Sequence, residues 1–302
     1  MTDSRNTLKD QAIKQINARH ETQANALKEK EEAAKKKLEE QKAAYEKSRS
    51  SKEDGSKYGI DQLQLYIGKP FQLNDKIQIL QPTVGDLIDI GEQKVYSTVH
   101  VFVANTTMYR LFLWDQGVDW NKISDYELFQ LLCQALTKDQ TEFLFSGVDF
   151  SKLKRFKKTL DGEYSVVLYD PENEIEIDEE TYKKIAWYIR SMFNIFPKVE
   201  KAKGKFTKES IIEEDRRNYN MHKNDKYQSS LLPLISSCLN HPGFKYTKKE
   251  LMDVGIVEFM DSVQRLQVYE SSRALLSGSY SGFCDTSKIP KEQFDFMRDL
   301  SK

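Results

Sequence analysis

The stretch "IVEFMDSVQRLQVYESSRALLSG", Ile256 to Gly278, is the longest apolar-periodic run of the chain. Val257, Met260, Val263, Leu266, Leu275 and Leu276 recur at steps that place them on one broad helix face. The spacing predicts a long helix with that face buried. At its end, Gly278-Ser279-Tyr280-Ser281-Gly282 superficially imitates the elbow that presents a nucleophilic serine. That elbow needs serine midway between its glycines and a strand before it. Here Tyr280 is in the middle and the preceding run is helical. No G-x-x-x-x-G-K-[ST] phosphate loop occurs anywhere in the chain. A glycine just past a helical run ends the helix, because glycine tolerates left-handed backbone. The loop reads as a corner.

The rest of residues 201–302 is also helical by pattern. "ESIIEEDRRNY" is amphipathic, and "SSLLPLISSCLN" is a short apolar helix that Ser230 would cap with Pro233 in its first turn. Thr247 and Glu250 have the spacing of a capping box. "IPKEQFDFMRDL" predicts a last short helix with Phe294, Met297 and Leu300 inward.

Residues 58–200 mix both element types. "LQLYIGKPFQLNDKIQIL" has β-like runs broken by Gly68-Lys69-Pro70 and Asn74-Asp75, predicting a small strand pair. Thr83 with Asp86, and Ser124 with Glu127, mark two helix starts. After the second, Leu128, Leu131, Leu132 and Leu136 form the expected apolar face. "TEFLFSG", "EYSVVLYD" and "NEIEIDE" are strand-like, the last two flanking Asp170-Pro171-Glu172-Asn173 as in a hairpin. Asp178 then caps a helix whose Ile185, Tyr188, Ile189 and Met192 share a face, with Pro197 as its stop. The lysine-rich "PKVEKAKGKFTKES" places a module boundary near residue 200.

Residues 1–57 differ from all of this. "KEKEEAAKKKLEEQKAAYEK" consists of strong helix formers, and the first glycine is Gly55. Its apolar residues are too sparse for an unbroken heptad seam, so a solvated helix with a linker is expected, a weak coiled coil being the sharper reading. The fold class is α+β, mostly α, behind this charged helix.

Composition restricts function. Lys+Arg 46 against Asp+Glu 47 leaves no global attraction to nucleic acid or to an anionic membrane. Cys133, Cys238 and Cys284 form no C-x-x-C pair and read as small apolar fillers in a reducing compartment. No apolar run is long enough for a membrane span, and the first residues lack the apolar core of a secretory signal, so a cytoplasmic location is expected.

Site chemistry is sparse in the same way. His20, His100, His222 and His241 stand alone in sequence, His100 as a half-buried core residue and His241 in a turn. "DPENEIEIDEE" lacks the glycine-centred core of a calcium loop and reads as a solvated hairpin. "SKLKRFKK", Ser151 to Lys158, is the best basic cluster and reads as a solvated face rather than a nucleic-acid contact. No catalytic residue, metal site or cofactor is expected. Aromatics reach 11% and are densest in "MYRLFLWDQGVDW" and "AWYIRSMFNIF". Beyond the core's needs, such side chains suit protein-contact surfaces.

The combination "SSLLPLISSCLNHPGFKY", "FMDSVQRLQVYESSRALLSGSYSGF" and "DTSKIPKEQFDFMRDL" resembles the tail-module proteins of phages that infect Gram-positive bacteria, a family described as tail assembly chaperones. "IGKPFQLNDKIQILQPTVGDLIDIGEQKVY" and "LWDQGVDWNKISDYELF" resemble its earlier part, so the likeness covers residues 60–300 in patches and leaves out the N-terminal helix. It rests on turn and packing patterns. The resemblance implies a non-enzymatic late protein of the host cytoplasm that shields the helical tape-measure protein and is shed as tail-tube subunits arrive. The N-terminal helix would extend that contact or promote self-association. The alternative it leaves open is a structural component retained at a tail connector or baseplate. Candidate contact residues are Tyr109, Trp114, Trp120, Tyr126 and Phe129, with Phe294, Phe296 and Met297 near the end. Gly278, Tyr280, Gly282 and Phe283 are family-pattern residues expected to shape the turn.

Overall fold

Several helix starts in the computed structural model carry caps supplied by their own sequence. The structure describes residues 55–160, 163–282, 287 and 289–300. The expected N-terminal helix lies outside them, apart from its linker end, Gly55–Tyr58, which is a 3-10 turn. Thr83 and Asp86 form a reciprocal capping box at the head of α2 (Val84–Ile90). Ser124 and Glu127 do so for α5 (Asp125–Leu132), and Thr247 and Glu250 for α10 (Lys248–Leu251). Asp178 accepts from Thr181 at the head of α7 (Glu179–Phe193). Each box satisfies backbone N–H groups that the first helical turn leaves without partners.

The other helices are α1 (Gln62–Tyr66), α3 (Glu92–Val103), α4 (Arg110–Asp115), α6 (Lys138–Thr141), α8 (Lys205–His222), α9 (Leu231–Asn240) and α11 (Ile256–Tyr280). Two antiparallel three-stranded sheets complete an α+β, mostly α fold. One contains β1 (Phe71–Gln72), β2 (Gln78–Ile79) and β3 (Phe145–Ser146), with Phe71 opposite Ile79 and Ile79 opposite Phe145. The other contains β4 (Lys154–Leu160), β5 (Glu163–Asp170) and β6 (Ile175–Ile177) in that order.

The core is built around α3 and α7. Phe102 of α3 meets Phe145 at 4.9 Å, Phe150 at 5.1 Å and Phe129 at 5.7 Å between ring centroids. Ile185, Tyr188, Ile189 and Met192 of α7 are buried, as their spacing predicts. The buried Tyr126 hydroxyl donates to the Ile177 carbonyl and accepts from the Leu168 amide, fastening the second sheet to α5. Among the described residues every strand lies before residue 200, yet Leu231, Cys238, Leu251, Val254, Ile256 and Phe259 enter the same buried cluster as α7. The described residues fall within a single compact unit.

A backbone joint connects these distant parts. The amides of Val84 and Gly85 donate to the carbonyls of Val254 and Met252, each at 2.9 Å, and Ile256 returns a bond to Pro82 at 3.0 Å. Gly147 makes the second close approach. Its φ is +88°, and a Cβ there would sit 1.9 Å from the Lys76 carbonyl oxygen.

Several expectations are corrected. "LQLY" is helical α1, since Asp61 accepts from the Leu63 amide and starts a turn. Of "TEFLFSG", Phe145 and Ser146 alone are strand. On α5, Leu131 faces outward while Tyr126, Leu128 and Phe129 point in, and a 3-10 turn over Cys133–Ala135 leads to the buried Leu136. Ser230 makes no side-chain cap. Instead the Glu92 carboxylate on α3 accepts from the Ser230 amide and hydroxyl and from the Leu231 amide, at 2.7–3.0 Å. His100 has an exposed surface on α3 yet is partly enclosed, and that burial lowers its pKa. The last segment forms a 3-10 turn, Lys291–Phe294, rather than an α-helix, and Met297 points outward. Cys133 and Cys238 are buried, and burial pushes the Cys133 thiol up to about 12.

Candidate protein-contact surface

Within residues 109–129, Trp120, Tyr126 and Phe129 are buried and Tyr109 and Trp114 half-buried, whereas Phe112 is 51% exposed. Tyr126 and Phe129 belong to the main core, where the Phe129 and Tyr182 rings stack at 4.7 Å. Trp120, 2% exposed, centres a second small core with Leu113, Leu128, Ala202 and Ile212, and Tyr109 and Trp114 pack half-buried against it. Trp114 and Trp120 meet edge to face at 5.9 Å. This core is the wall on which α8 docks.

Ion pairs around its rim fix that docking. Arg110 donates to both oxygens of Asp215 and to Glu200, and those hydrogen bonds, Asp215 first, raise its pKa. Lys208 reaches Asp119 at 2.6 Å, with its ammonium 5.7 Å from the Trp120 ring centroid. The Lys208 hydrogen bond holds the Asp119 carboxyl below its ordinary range. Trp120 Nε1 donates to the Glu200 carbonyl at 3.2 Å and Asn121 to that of Ala202. Tyr109, Trp114, Trp120, Tyr126 and Phe129 thus make contacts within the chain. Aromatic density in sequence does not separate an internal wall from an external one.

An outward-facing apolar ridge lies on the far half of α11. Only Ile256, Phe259 and Ser272 of this helix are buried, so its first half anchors it and the second carries few core contacts. Val257, Met260, Val263 and Leu266 are partly buried against the core, as expected, whereas Leu275 is half-buried and Leu276 exposed. Tyr269, Leu276 and Tyr280 succeed one another at steps of seven and four, which keeps them on one face. All three are exposed, Tyr280 at 88%.

The C-terminal segment extends this ridge. The Phe296 ring meets Tyr269 edge to face at 5.7 Å. Next to it Met297 is 73% exposed, and Phe294 is half-buried. Two side chains of α11 position the segment: Ser272 Oγ donates to the Gln293 carbonyl at 2.9 Å, and Arg265 Nη1 to those of Arg298 at 2.7 Å and Phe296 at 3.4 Å. Ser272 is buried, so a hydroxyl left unpaired there would be costly.

The corner after α11 comes later than its first glycine. Gly278 and Tyr280 are helical, and Gly282, at φ +70°, makes the left-handed turn. Ser281 Oγ donates back to the Gly278 carbonyl at 3.0 Å, which engages that hydroxyl in the turn. Phe283 lies outside the described residues.

Two of the histidines have carboxylate neighbours. His241 Nδ1 accepts from the Gly243 amide at 3.0 Å, and its Nε2 lies 3.5 Å from Glu270 on α11. His222 pairs with Asp225 at the exposed end of α8. Among the described residues no group of three or more histidines, cysteines and carboxylates could hold a metal ion. No helix among them is long and apolar enough to cross a membrane. What the ridge can do chemically is bury apolar area against another surface. Its spacing is legible in the sequence, but apolar periodicity signals a buried face without saying what buries it. Comparison with protein-family models, curated proteins and solved structures returns no match to this chain.

Proposed function

We propose that this chain is a non-enzymatic assembly factor of a phage tail, acting in the host cytoplasm and presenting the α11 ridge to the tape-measure or tail-tube protein. The observation that carries the reading is the ridge itself: Tyr269, Leu276 and Tyr280 on one helix face, with Phe296 and Met297 beside them, all exposed. The resemblance in residues 60–300 supports it, since its most recognisable patterns fall on this helix and the turn after it.

The physics suits reversible protection of a helical partner. The anchors Tyr269, Leu276 and Tyr280, at i, i+7 and i+11, lie on one helix face, as the anchors of helix-in-groove recognition do. Burying one such side chain stabilises by about 1.5–3 kcal/mol. Ordering each side chain at an interface costs about 0.5–1.5 kcal/mol. One ridge therefore binds weakly, and many copies along a repetitive tape measure add up through avidity.

The test is co-purification of the full chain with the tape-measure and tail-tube proteins of its gene cluster, together with mass spectrometry of finished particles. The expected result is binding to one of them and absence from particles. Presence in particles at fixed copy number would instead identify a retained connector or baseplate component. Neither binding nor presence would overturn both readings.

A further inference from the structure

The edge strand β4 has a pattern that the α11 ridge does not explain. It is first in the order β4-β5-β6, so one of its edges pairs with β5 and the other has no strand beside it. It is seven residues long, which gives an open edge of ~23 Å. Every side chain from Lys154 to Thr159 is exposed.

Its charges are unevenly matched. Lys158 pairs with Glu176 of β6 at 2.7 Å across the sheet. Lys154 and Lys157 pair with no carboxylate of the described residues, and Arg155 Nε donates to the neutral Gln130 at 3.1 Å. Lysines on an edge strand are also a device against unwanted pairing. That device does not require apolar side chains in the open. Here Phe156 is 41% exposed, and on β5 Tyr164 is 81% exposed, with Val166 exposed as well.

The geometry points to β4 as a docking edge for an extended acidic segment of another protein, added as a fourth strand. Strand addition takes affinity from backbone hydrogen bonds and specificity from alternate side chains. A strand laid along β4 would set one face beside Lys154, Phe156 and Lys158, and the other beside Arg155, Lys157 and Thr159. The fitting segment therefore has carboxylates at alternating positions and an apolar residue beside Phe156. β6, with the sequence Ile-Glu-Ile, already shows this chemistry satisfying Lys158 inside the sheet. A second copy of β4 is a poor occupant, because lysines would face lysines. This inference is independent of the assembly role proposed for α11.

The test uses the full chain and a fluorescein-labelled seven-residue peptide of alternating glutamate and valine, monitored by anisotropy. Binding is expected with valine beside Phe156 and the glutamates on the opposite face beside Arg155 and Lys157, and the Arg155→Glu, Lys157→Glu double variant should weaken it about tenfold or more. Phe156→Thr should weaken it with the charges intact, and circular dichroism should show both variants folded. The same peptide N-methylated at alternate amides keeps its charge and should not bind. Equal binding of the methylated peptide would reduce the effect to charge attraction and overturn the proposal. Tighter binding of a single-stranded oligonucleotide, or no peptide binding at all, would overturn it as well.

Discussion

The Gly85 amide donates to the Met252 carbonyl oxygen at 2.9 Å, and a Cβ on Gly85 would stand 2.8 Å from that same oxygen. The contact is backbone against backbone, so no flexible side chain can yield. Gly85→Ala should therefore destabilise the chain by about 1–3 kcal/mol, as overpacking does. Thermal unfolding should show the loss as a fall of roughly 2–4 °C per kcal/mol. An unchanged midpoint would mean that the joint is looser than this distance.

Glu92 caps α9 from 138 residues away. Burial alone would raise its carboxyl, but hydrogen bonds from Ser229, Ser230 and Leu231 outweigh that and hold it below its ordinary value of 4.5. A lowered folded-state pKa stabilises the fold above the unfolded pKa and is lost as pH falls through the folded one. Glu92→Ala should cost about 1 kcal/mol at neutral pH. The difference from wild type should shrink as pH drops below the carboxylate range. Paired denaturant titrations at neutral and acid pH would read it, and a pH-independent difference would count against the cap.

Two glycines with positive φ should respond unequally to alanine. At Gly282 nothing lies within 4 Å of the added Cβ, so only the left-handed backbone is penalised, by about 1–2 kcal/mol. At Gly147 the Cβ would overlap the Lys76 carbonyl, and the β2–β3 region must shift. Gly147→Ala should be the worse variant, by roughly 2 kcal/mol or more. Comparing denaturant midpoints checks the order, and a reversed order would contradict the packing described.

Trp120 and Tyr280 should separate stability from binding. Trp120→Ala empties the second core and should cost about 3–5 kcal/mol. Tyr280→Ala changes an exposed side chain and should stay within about 0.5 kcal/mol of wild type. If the ridge is the contact surface, Tyr280→Ala combined with Tyr269→Ala should weaken partner binding while the unfolding midpoint holds. Unaltered binding in that double variant would remove the ridge from the proposal.

The parts of this fold legible in sequence are those decided by neighbours. The boxes at Thr83, Ser124 and Thr247 involve residues three apart, and the inward face of α7 follows from helical spacing. Long-range partners are not legible. Ser230 has the sequence setting of a cap, while the real cap, Glu92, is on another helix. "SKLKRFKK" shows its charge and gives no sign of a seven-residue strand, because lysine is a poor strand former and pairing with β5 decides the matter. The candidate surface is half visible. Phe296 and Met297 stand out in the sequence and are exposed, whereas Trp120, Tyr126 and Phe129 are enclosed by segments far along the chain.

The joint between residues 82–85 and 252–256 also sets an order in time. The amide of Gly85 and the carbonyl of Met252 are 167 residues apart in sequence. A ribosome adding about 5–20 residues per second needs roughly 8–30 s to cover that interval. Throughout it the head of α2 has no β-bridge to Gly255 and no core contact from Ile256 or Phe259. The fold therefore closes only once the start of α11 has emerged, and a nascent chain stalled before residue 250 presents its unfinished core to the cell.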